Sequence, residues 1–387
     1  MKVCMVLNNP FTNDSRVLRE AQTLVDKGFK ITIYATKKSG LPSSEVTKGV
    51  TVKRSVDRYD VRLRFWKFFT QIRPVIKTLV EEKADIYHAH DLDTLQIAYY
   101  AAKQTNAKLV YDSHELYTER YFKKGLPIYS HLKSSLYKAM LRFIESAIAP
   151  KVDWVITVND SIATELKNRY KLNKVTVVMN CQPKSVVDSR GEGKLRDLLQ
   201  LRQETKIILY QGYMTSIRGL DKLVESVKYV KGDLVLVLMG EGQVKKELEE
   251  RVKTGNLKDK VRFLPLVDPK KVLEFISDAD LGVIPYQNIC LNNYYSTPNK
   301  LFDYIASGIA VVASDFPQLR KIVVDNKIGL VFDETNPKDI AAKINEIISD
   351  EKKLWEMKEN ARGIFKTKYN WENEEKKLLA AYKKLAL

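Results

Sequence analysis

Cysteine is scarce: Cys4, Cys181 and Cys290 are the only three in 387 residues. They are widely spaced and odd in number, which excludes a disulfide framework and any Cys-x-x-Cys zinc or redox site. Glycine and proline, 16 and 12 residues, are too few for a collagenous or low-complexity chain. Long apolar runs are also missing, and none approaches the roughly 20 residues that cross a bilayer. The first, Val3 to Leu7, ends in Asn8-Asn9-Pro10; it is too short for a signal-peptide core and predicts a β-strand. A reducing, cytosolic setting is the expected compartment.

Basic charge is what the chain has in excess. Lys and Arg number 65 against 48 Asp and Glu, a net charge of +17. Residues 1–185 hold 31 basic and 18 acidic residues, so +13 of that excess lies in the first half. Such asymmetry suits an anionic partner for that half, a nucleic acid or an acidic membrane surface. No helix-turn-helix, zinc finger or RNA-recognition motif accompanies it, which disfavours nucleic acid.

Short β-branched runs alternate with helical patterns from end to end, the signature of βα units and parallel sheets. Strands are expected near Val3 to Leu7, Ile31 to Tyr34, Asp85 to His88, Leu109 to Tyr111, Trp154 to Val158 and Thr176 to Met179. In the helix predicted over Ser15 to Lys27, apolar Val17, Leu18, Ala21, Leu24 and Val25 follow the 3.6-residue period, and Gly28 ends it. The pattern breaks in a polar stretch from Gln182 to Gly193, the best linker candidate. It then restarts, with strands near Ile207 to Tyr210, Val235 to Met239, Val261 to Leu264, Leu281 to Ile284, Ile309 to Ala313 and Gly329 to Phe332. Length alone predicts about two to three domains. The pattern predicts an α/β chain of two similar βαβ domains of comparable size, 1–183 and 184–365, with a last helical segment, Trp371 to Leu387, after the final βα unit.

Open α/β sheets bind ligands at the carboxyl ends of their strands, and four strand ends in the second half carry suitable residues. After Tyr210 comes Gln211-Gly-Tyr-Met-Thr-Ser-Ile-Arg218-Gly219, in which Gly212 admits a ligand closely and Arg218 can clamp a phosphate. Gly240-Glu241-Gly242 gives a second tight approach. Phe263-Leu-Pro-Leu266-Val267 offers backbone amides to the edge of a nucleobase. The fourth, Tyr294-Tyr-Ser-Thr-Pro298-Asn299-Lys300-Leu-Phe-Asp303-Tyr, opens a helix whose positive end presents Asn299 and Lys300 to a diphosphate. Such a charge contributes about 0.3–1 kcal/mol, and up to ~2 when partly buried. Asp303, about one turn further in, can accept both hydroxyl hydrogens of a ribose.

In these motifs the second half resembles the donor domain of the group-1 (family 4) glycosyltransferases, which have two Rossmann-like domains facing each other across a cleft in the GT-B arrangement; the resemblance implies a C-terminal helix, here over 366–387, that returns to the first domain. The family carries Glu, seven residues, then Glu, followed by an Ala-x-Gly-x-Pro-Val-Val-Ala-Ser-like strand. Here Asp303 takes the second position, Tyr295 the first, and Ala306-Ser-Gly308-Ile-Ala-Val-Val-Ala-Ser314 follows. This is similar to a subgroup with a Tyr-Tyr-x-x-Pro-Asn-Lys-Leu-Phe-Glu-Tyr pattern. The usual arginine and lysine pair of the phosphate loop is reduced to Arg218, with Tyr213 where the first cation would stand.

The first half supports the resemblance through Asn13-Asp14-Ser-Arg16-Val-Leu-Arg-Glu-Ala21, Tyr87-His88-Ala-His90-Asp91-Leu-Asp-Thr94 and Tyr111-Asp-Ser-His114-Glu115. It implies a hydroxyl-acceptor domain, with Asp14, Arg16, His90, Asp91 and Glu115 in the acceptor cleft and His114 near the reacting carbon of the donor sugar. N-capping by Asp14, with a surface ion pair for Arg16, is the structural alternative. His88, His90, Asp91, Asp112 and His114 include ordinary zinc ligands, yet the resemblance implies that no metal or other cofactor is required beyond the nucleotide-diphosphate sugar itself.

The expected function is therefore sugar transfer from a nucleotide-diphosphate sugar to a hydroxyl, with retention of anomeric configuration, in cell-surface polysaccharide or glycolipid synthesis. Arg218 and Lys300 would neutralise the charge developing on the departing diphosphate, and His114 completes the catalytic set from its place near the reacting carbon. The alternatives are a nucleotide-sugar 2-epimerase of the same architecture and a non-catalytic nucleotide-sugar-binding protein. The segment Val61 to Val80 has five basic residues, four aromatics and no acid. Trp66, Phe69, Arg62 and Lys67, with Lys123, Lys124, Lys133, Lys138 and Arg142, would rest on an anionic bilayer, placing the protein peripherally at the inner face of the plasma membrane with a lipid-linked or otherwise anionic acceptor.

Overall fold

The computed structural model describes the chain apart from Asn13, residues 57–71, 121–127, 190–193 and 269–270, and Leu387, with the side chains at 55–56, 128–134 and 187–189 also outside the description. Two compact units emerge, one from Met1–Met179 with Glu375–Leu387, the other from Asn180–Glu374. The chain leaves the first unit four residues before the expected boundary and re-enters it nine residues after the expected return at 366. The helix Glu351–Thr367 explains the later return, because it packs on the helix Asn299–Ser307 of the second unit.

The first unit holds an eight-stranded sheet: β1 (Lys2–Val6), β2 (Lys30–Thr36), β3 (Ser44–Thr47), β4 (Val50–Val56), β5 (Ile86–His90), β6 (Lys108–Ser113), β7 (Trp154–Thr157) and β8 (Val175–Val177). The order is β3-β4-β2-β1-β5-β6-β7-β8, parallel except for the β3–β4 hairpin. Central strands are apolar on both faces because helices cover both, as parallel sheets require. Val17, Ala21 and Leu24 of the Ser15–Asp26 helix are fully buried, as their spacing predicts, while Leu18 and Val25 on the same stripe are half-buried.

The second unit holds β9 (Lys206–Gln211), β10 (Leu234–Met239), β11 (Val261–Leu264), β12 (Leu281–Ile284), β13 (Ala310–Ser314) and β14 (Gly329–Phe332). Its all-parallel order is β11-β10-β9-β12-β13-β14. Its core runs from Ile208 and Leu236 through Val283 and Val312 to Ile340 and Ile344. In both sheets the strand order reverses beside the first strand, between β1 and β5 and between β9 and β12. The crevice above such a reversal is where open α/β sheets bind ligands.

The β3–β4 hairpin is absent from the sequence expectation. Lys48 and Gly49, both at positive φ (47° and 76°), make the two-residue turn whose backbone matches strand twist, and Thr47 pairs with Val50 across it. A lysine in that turn and the polar Ser44 and Glu45 hide the signal.

Candidate active site residues

At the β9/β12 reversal the two strand ends each deliver a tyrosine. Tyr210 is the penultimate residue of β9, and Tyr286 follows β12 after Pro285; both rings are buried. The Nζ of Lys300 lies 3.6 Å from the Tyr210 ring centre and 5.4 Å from that of Tyr286, and the Arg218 guanidinium carbon lies 3.9 Å from the Tyr286 centre. Arg218 and Lys300, expected on sequence to act together, thus share one ring. Among the described residues neither makes an ion pair with a carboxylate. Burial, then the like charge of Arg218, pushes the Lys300 amine well below its ordinary range, with Asp303 pulling the other way. Aromatic faces hold a cation with about 0.5–2 kcal/mol but do not neutralise it, so the pair has positive charge to offer an anion.

The helix Asn299–Ser307 carries Lys300 there. It begins after Pro298, which is its N-cap at φ −68°, ψ 146°. Its seat on the sheet depends on Tyr304, whose hydroxyl donates to Leu209 O (3.1 Å) and accepts from Gln211 N (3.2 Å). A Cβ on Gly282 would stand 2.4 Å from the Tyr304 ring, so the glycine in β12 is what admits this ring. Asp303, one turn along from Asn299, is buried and accepts from Gln182 Nε2 at 2.7 Å.

The glycines have a different reason from the one their spacing suggests. A Cβ on Gly240 would meet Gly212 O at 2.0 Å, and one on Gly242 would meet Met214 O at 2.1 Å. Gly240 and Gly242 therefore let the loop after β10 pack backbone to backbone against the loop after β9; their bare sides face that loop rather than a ligand. Gly212 is the exception, for its Cβ direction points at Lys300 Nζ, 3.3 Å away. Leu266 lies two residues past the end of β11 with its side chain exposed, and Tyr213, on the loop after β9, is 56 % exposed.

In the first unit the histidine and acidic residues at the β1/β5 reversal form one buried network. Asp112, at 0 % exposure, takes Arg16 Nη2 at 3.0 and 3.2 Å and His114 Nε2 at 3.1 Å. Arg16 also reaches Glu20 (3.0 Å) and donates to Val178 O (2.8 Å). Arg16 is accordingly neither a surface ion pair nor a free cation for an acceptor; its guanidinium is spent inward. Asp14 caps the Ser15–Asp26 helix, accepting from Val17 N. His90 is interior, stacked on His88 at 4.2 Å between ring centres. Burial, and then the neighbouring His88, keep His90 well below the usual histidine range.

His114 and Asp91 are the members with partial exposure. Asp91 Oδ1 accepts from His114 N at 3.0 Å, and its Oδ2 lies 3.4 Å from His114 Nδ1. Asp91 holds φ 64°, a strained backbone for a non-glycine residue, of the kind that clusters at functional sites. Burial alone would lower the His114 pKa, but Asp91 and then Asp112 override it and raise it to about 10. Burial pushes Asp91 up to about 7, with His114 pulling it down. Glu115 pairs with Arg120 at 3.3 Å. Sequence reasoning missed Tyr382, whose hydroxyl sits 2.7 Å from His88 Nδ1; it comes from the C-terminal helix Trp371–Leu385.

Glu20, His88, His90 and Asp112 present four ligand-type atoms within 4.8 Å of one another. Arg16 already stands on both acids, so the protein itself supplies the positive charge they call for. Of the basic residues assigned to a membrane face, Arg62, Lys67, Lys123 and Lys124, with Trp66 and Phe69, lie outside the described residues, as does the side chain of Lys133. Lys138 and Arg142 both bind Glu119, together with Arg169, so they serve an internal hub. No helix among the described residues is long and apolar enough to cross a membrane.

Comparison with known proteins gives the same reading for both halves. Residues 15–181 match the family described as Glycosyltransferase Family 4, and residues 192–364 match Glycosyl transferases group 1. The D-inositol 3-phosphate glycosyltransferase of Xylanimonas cellulosilytica is 21 % identical over 408 aligned positions, covering 97 % of this chain and 93 % of that protein. Sucrose-phosphate synthase from Thermosynechococcus elongatus superposes with a TM-score of 0.82 at 17 % identity, over 100 % of this chain and 99 % of that one. HepE from Anabaena, in its complex with UDP-glucose, does so with a TM-score of 0.73 at 14 % identity, over 99 % and 100 %. Matched in order along both units, the chain belongs to the group-1, family 4 glycosyltransferases of the GT-B fold and is a glycosyltransferase enzyme.

Proposed function

We propose that the protein transfers a sugar from a nucleoside-diphosphate sugar, bound by the second unit, to a hydroxyl acceptor with retention of configuration. The observation that carries this reading is the convergence of Arg218 and Lys300 on the Tyr286 ring, neither of them in an ion pair with a carboxylate among the described residues. Two such cations suit the diphosphate, whose charge grows as the bond to the sugar breaks. Stabilising that charge where it develops is electrostatic catalysis. The loop after β9 lacks its first expected cation, since Tyr213 stands there, but Lys300 Nζ comes up against Gly212 from the neighbouring helix. The second positive charge is thus delivered by a different element. Asp303 binds the ribose hydroxyls and the backbone at Leu266 the base edge.

The resemblance to HepE with UDP-glucose bound supports a nucleotide sugar as donor, and the inositol-phosphate name of the Xylanimonas relative a hydroxyl acceptor. Asp14 and Arg16 are assigned here to structure, and His114, Asp91 and Glu115 to the acceptor side. An acceptor displayed on a cell-surface lipid or glycan fits the exposed Leu136 and Phe143, seven residues apart on the helix Ile128–Ile148.

Incubation with UDP-, GDP- and ADP-sugars, each with and without lipid extract, tests the reading. Nucleoside diphosphate release with a product of unchanged anomeric configuration is expected. A change at C2 of the sugar with the nucleotide retained would make the protein an epimerase, and binding without turnover a sensor. Asp303→Asn should chiefly raise the donor KM, as loss of uniform binding does.

A further inference from the structure

Asp303 does not stand alone in its helix. Its Oδ1 receives a 2.7 Å hydrogen bond from Gln182 Nε2, and one turn earlier Asn299 Oδ1 receives a 2.8 Å bond from Asn180 Nδ2. Two amides spaced two residues apart, just after the chain enters the second unit, thus meet two residues spaced four apart on one helical face. The backbone of Gln182 is itself fixed, since its carbonyl accepts from Trp371 N at 2.9 Å; Lys184 N, two residues on, donates to Glu372 at 2.9 and 3.2 Å. The segment is therefore a strap anchored at one end to residues 371–372 and at the other to the first two turns of the Asn299–Ser307 helix.

We propose that Gln182 is a positioning residue for ribose recognition: its amide sets the plane of the Asp303 carboxylate toward the two hydroxyls of the donor. This rests on the nucleotide-sugar reading above. An aspartate has a broad, roughly two-fold preference about its last side-chain torsion, so a carboxylate that must meet two hydroxyls at once needs an external reference. A neutral amide is the suitable one. It turns the carboxylate without an opposing charge, so the full negative charge remains available to the hydroxyl hydrogens, whereas a lysine or arginine at 182 would compete for it.

The test is calorimetric titration of the full chain with UDP and with 2′,3′-dideoxy-UDP, repeated with the GDP and ADP pairs, on wild type, Gln182→Leu, Gln182→Glu and Asp303→Asn. Hydrogen bonds to a charged group correspond to about tenfold or more in affinity each, so wild type should prefer the ribonucleotide at least about tenfold. Asp303→Asn should erase most of that preference, and Gln182→Leu should reduce it at least about threefold while leaving affinity for inorganic pyrophosphate unchanged. Gln182→Glu, which keeps the side-chain shape and places a second carboxylate against the first, should reduce it further. A purely structural strap would weaken every ligand alike and leave the ratio unmoved. A wild-type ratio in both Gln182 variants, beside a collapsed ratio in Asp303→Asn, overturns the positioning role and leaves the donor reading intact. Absence of nucleotide binding by wild type overturns both.

Discussion

Lys300 rests its ammonium on the face of Tyr210, 3.6 Å from the ring centre, inside a buried site where the like charge of Arg218 outweighs the opposite charge of Asp303. A cation buried this way weakens the fold, and in the function proposed above the donor diphosphate would compensate it. The arrangement separates stability from function in a way that substitutions can read.

Lys300→Met should make the ligand-free protein more stable while disabling it. Replacing a poorly compensated buried charge by an apolar chain of similar volume gains about 1 kcal/mol or more, roughly 2–4 °C for a unit of this size. The pH dependence has a definite sign. A lysine whose folded-state pKa is depressed binds fewer protons folded than unfolded, so wild-type stability rises with pH toward the unfolded value near 10.4. The advantage of the methionine variant should be largest at low pH and shrink as pH rises. Melting curves between pH 6 and 10 that kept a constant gap would refute this.

Arg218→Ala should act on the chemical step. Loss of one contact to developing charge typically costs about 2.7–4 kcal/mol, roughly 10²- to 10³-fold. The fall is expected in kcat with little change in donor KM, and equal kcat in mutant and wild type would remove Arg218 from the reaction.

Little of this pairing is visible in the sequence. The strands β12 and β14 are legible to the residue because each is a short apolar run closed by polar or turn residues, and β11, Val-Arg-Phe-Leu, because Pro265 follows it directly. The approach of Arg218 and Lys300 to each other is legible because both stand at element ends on the carboxyl edge of one parallel sheet. Tyr210 and Tyr286 are not, since an aromatic ending a strand reads as core, and here it is core and cation seat together. Gln182 reads as linker because polar residues after the last strand mark a break, and nothing local reveals its partner 121 positions away. The Tyr382–His88 contact spans 294 positions and leaves no periodic trace at all.

His114 should remain an imidazolium across the physiological range. Its pKa of about 10 lies above the ordinary value near 6.5, so its stabilising contribution is complete below about 6.5 and is lost as pH rises through 10. Nitrogen-15 spectra of the ring should show the doubly protonated form at pH 8. Asp91→Asn should move the titration to lower pH and shorten the stable range on the alkaline side. A neutral ring at pH 8 in wild type would mean that the two carboxylates do not hold it.

Tyr382→Phe should destabilise the first unit by about 1–3 kcal/mol, because the buried Nδ1 of His88 would lose the hydroxyl at 2.7 Å. The signature is a lower urea midpoint with an unchanged slope. A shift within about 0.5 kcal/mol would show that the hydroxyl contributes nothing there.

The missing side chain at Gly282 reaches further than its own strand. Because the Tyr304 ring lies where a methyl group would stand, 2.4 Å from that position, even alanine would lever the Asn299–Ser307 helix away from β9 and carry Lys300 and Asp303 with it. A residue with no polar group to offer any ligand therefore calibrates the height of the whole cationic end above the sheet. Attempts to retune this enzyme toward other sugars can vary the exposed loops freely, but a search that randomises Gly282 would be altering the ruler along with the object being measured.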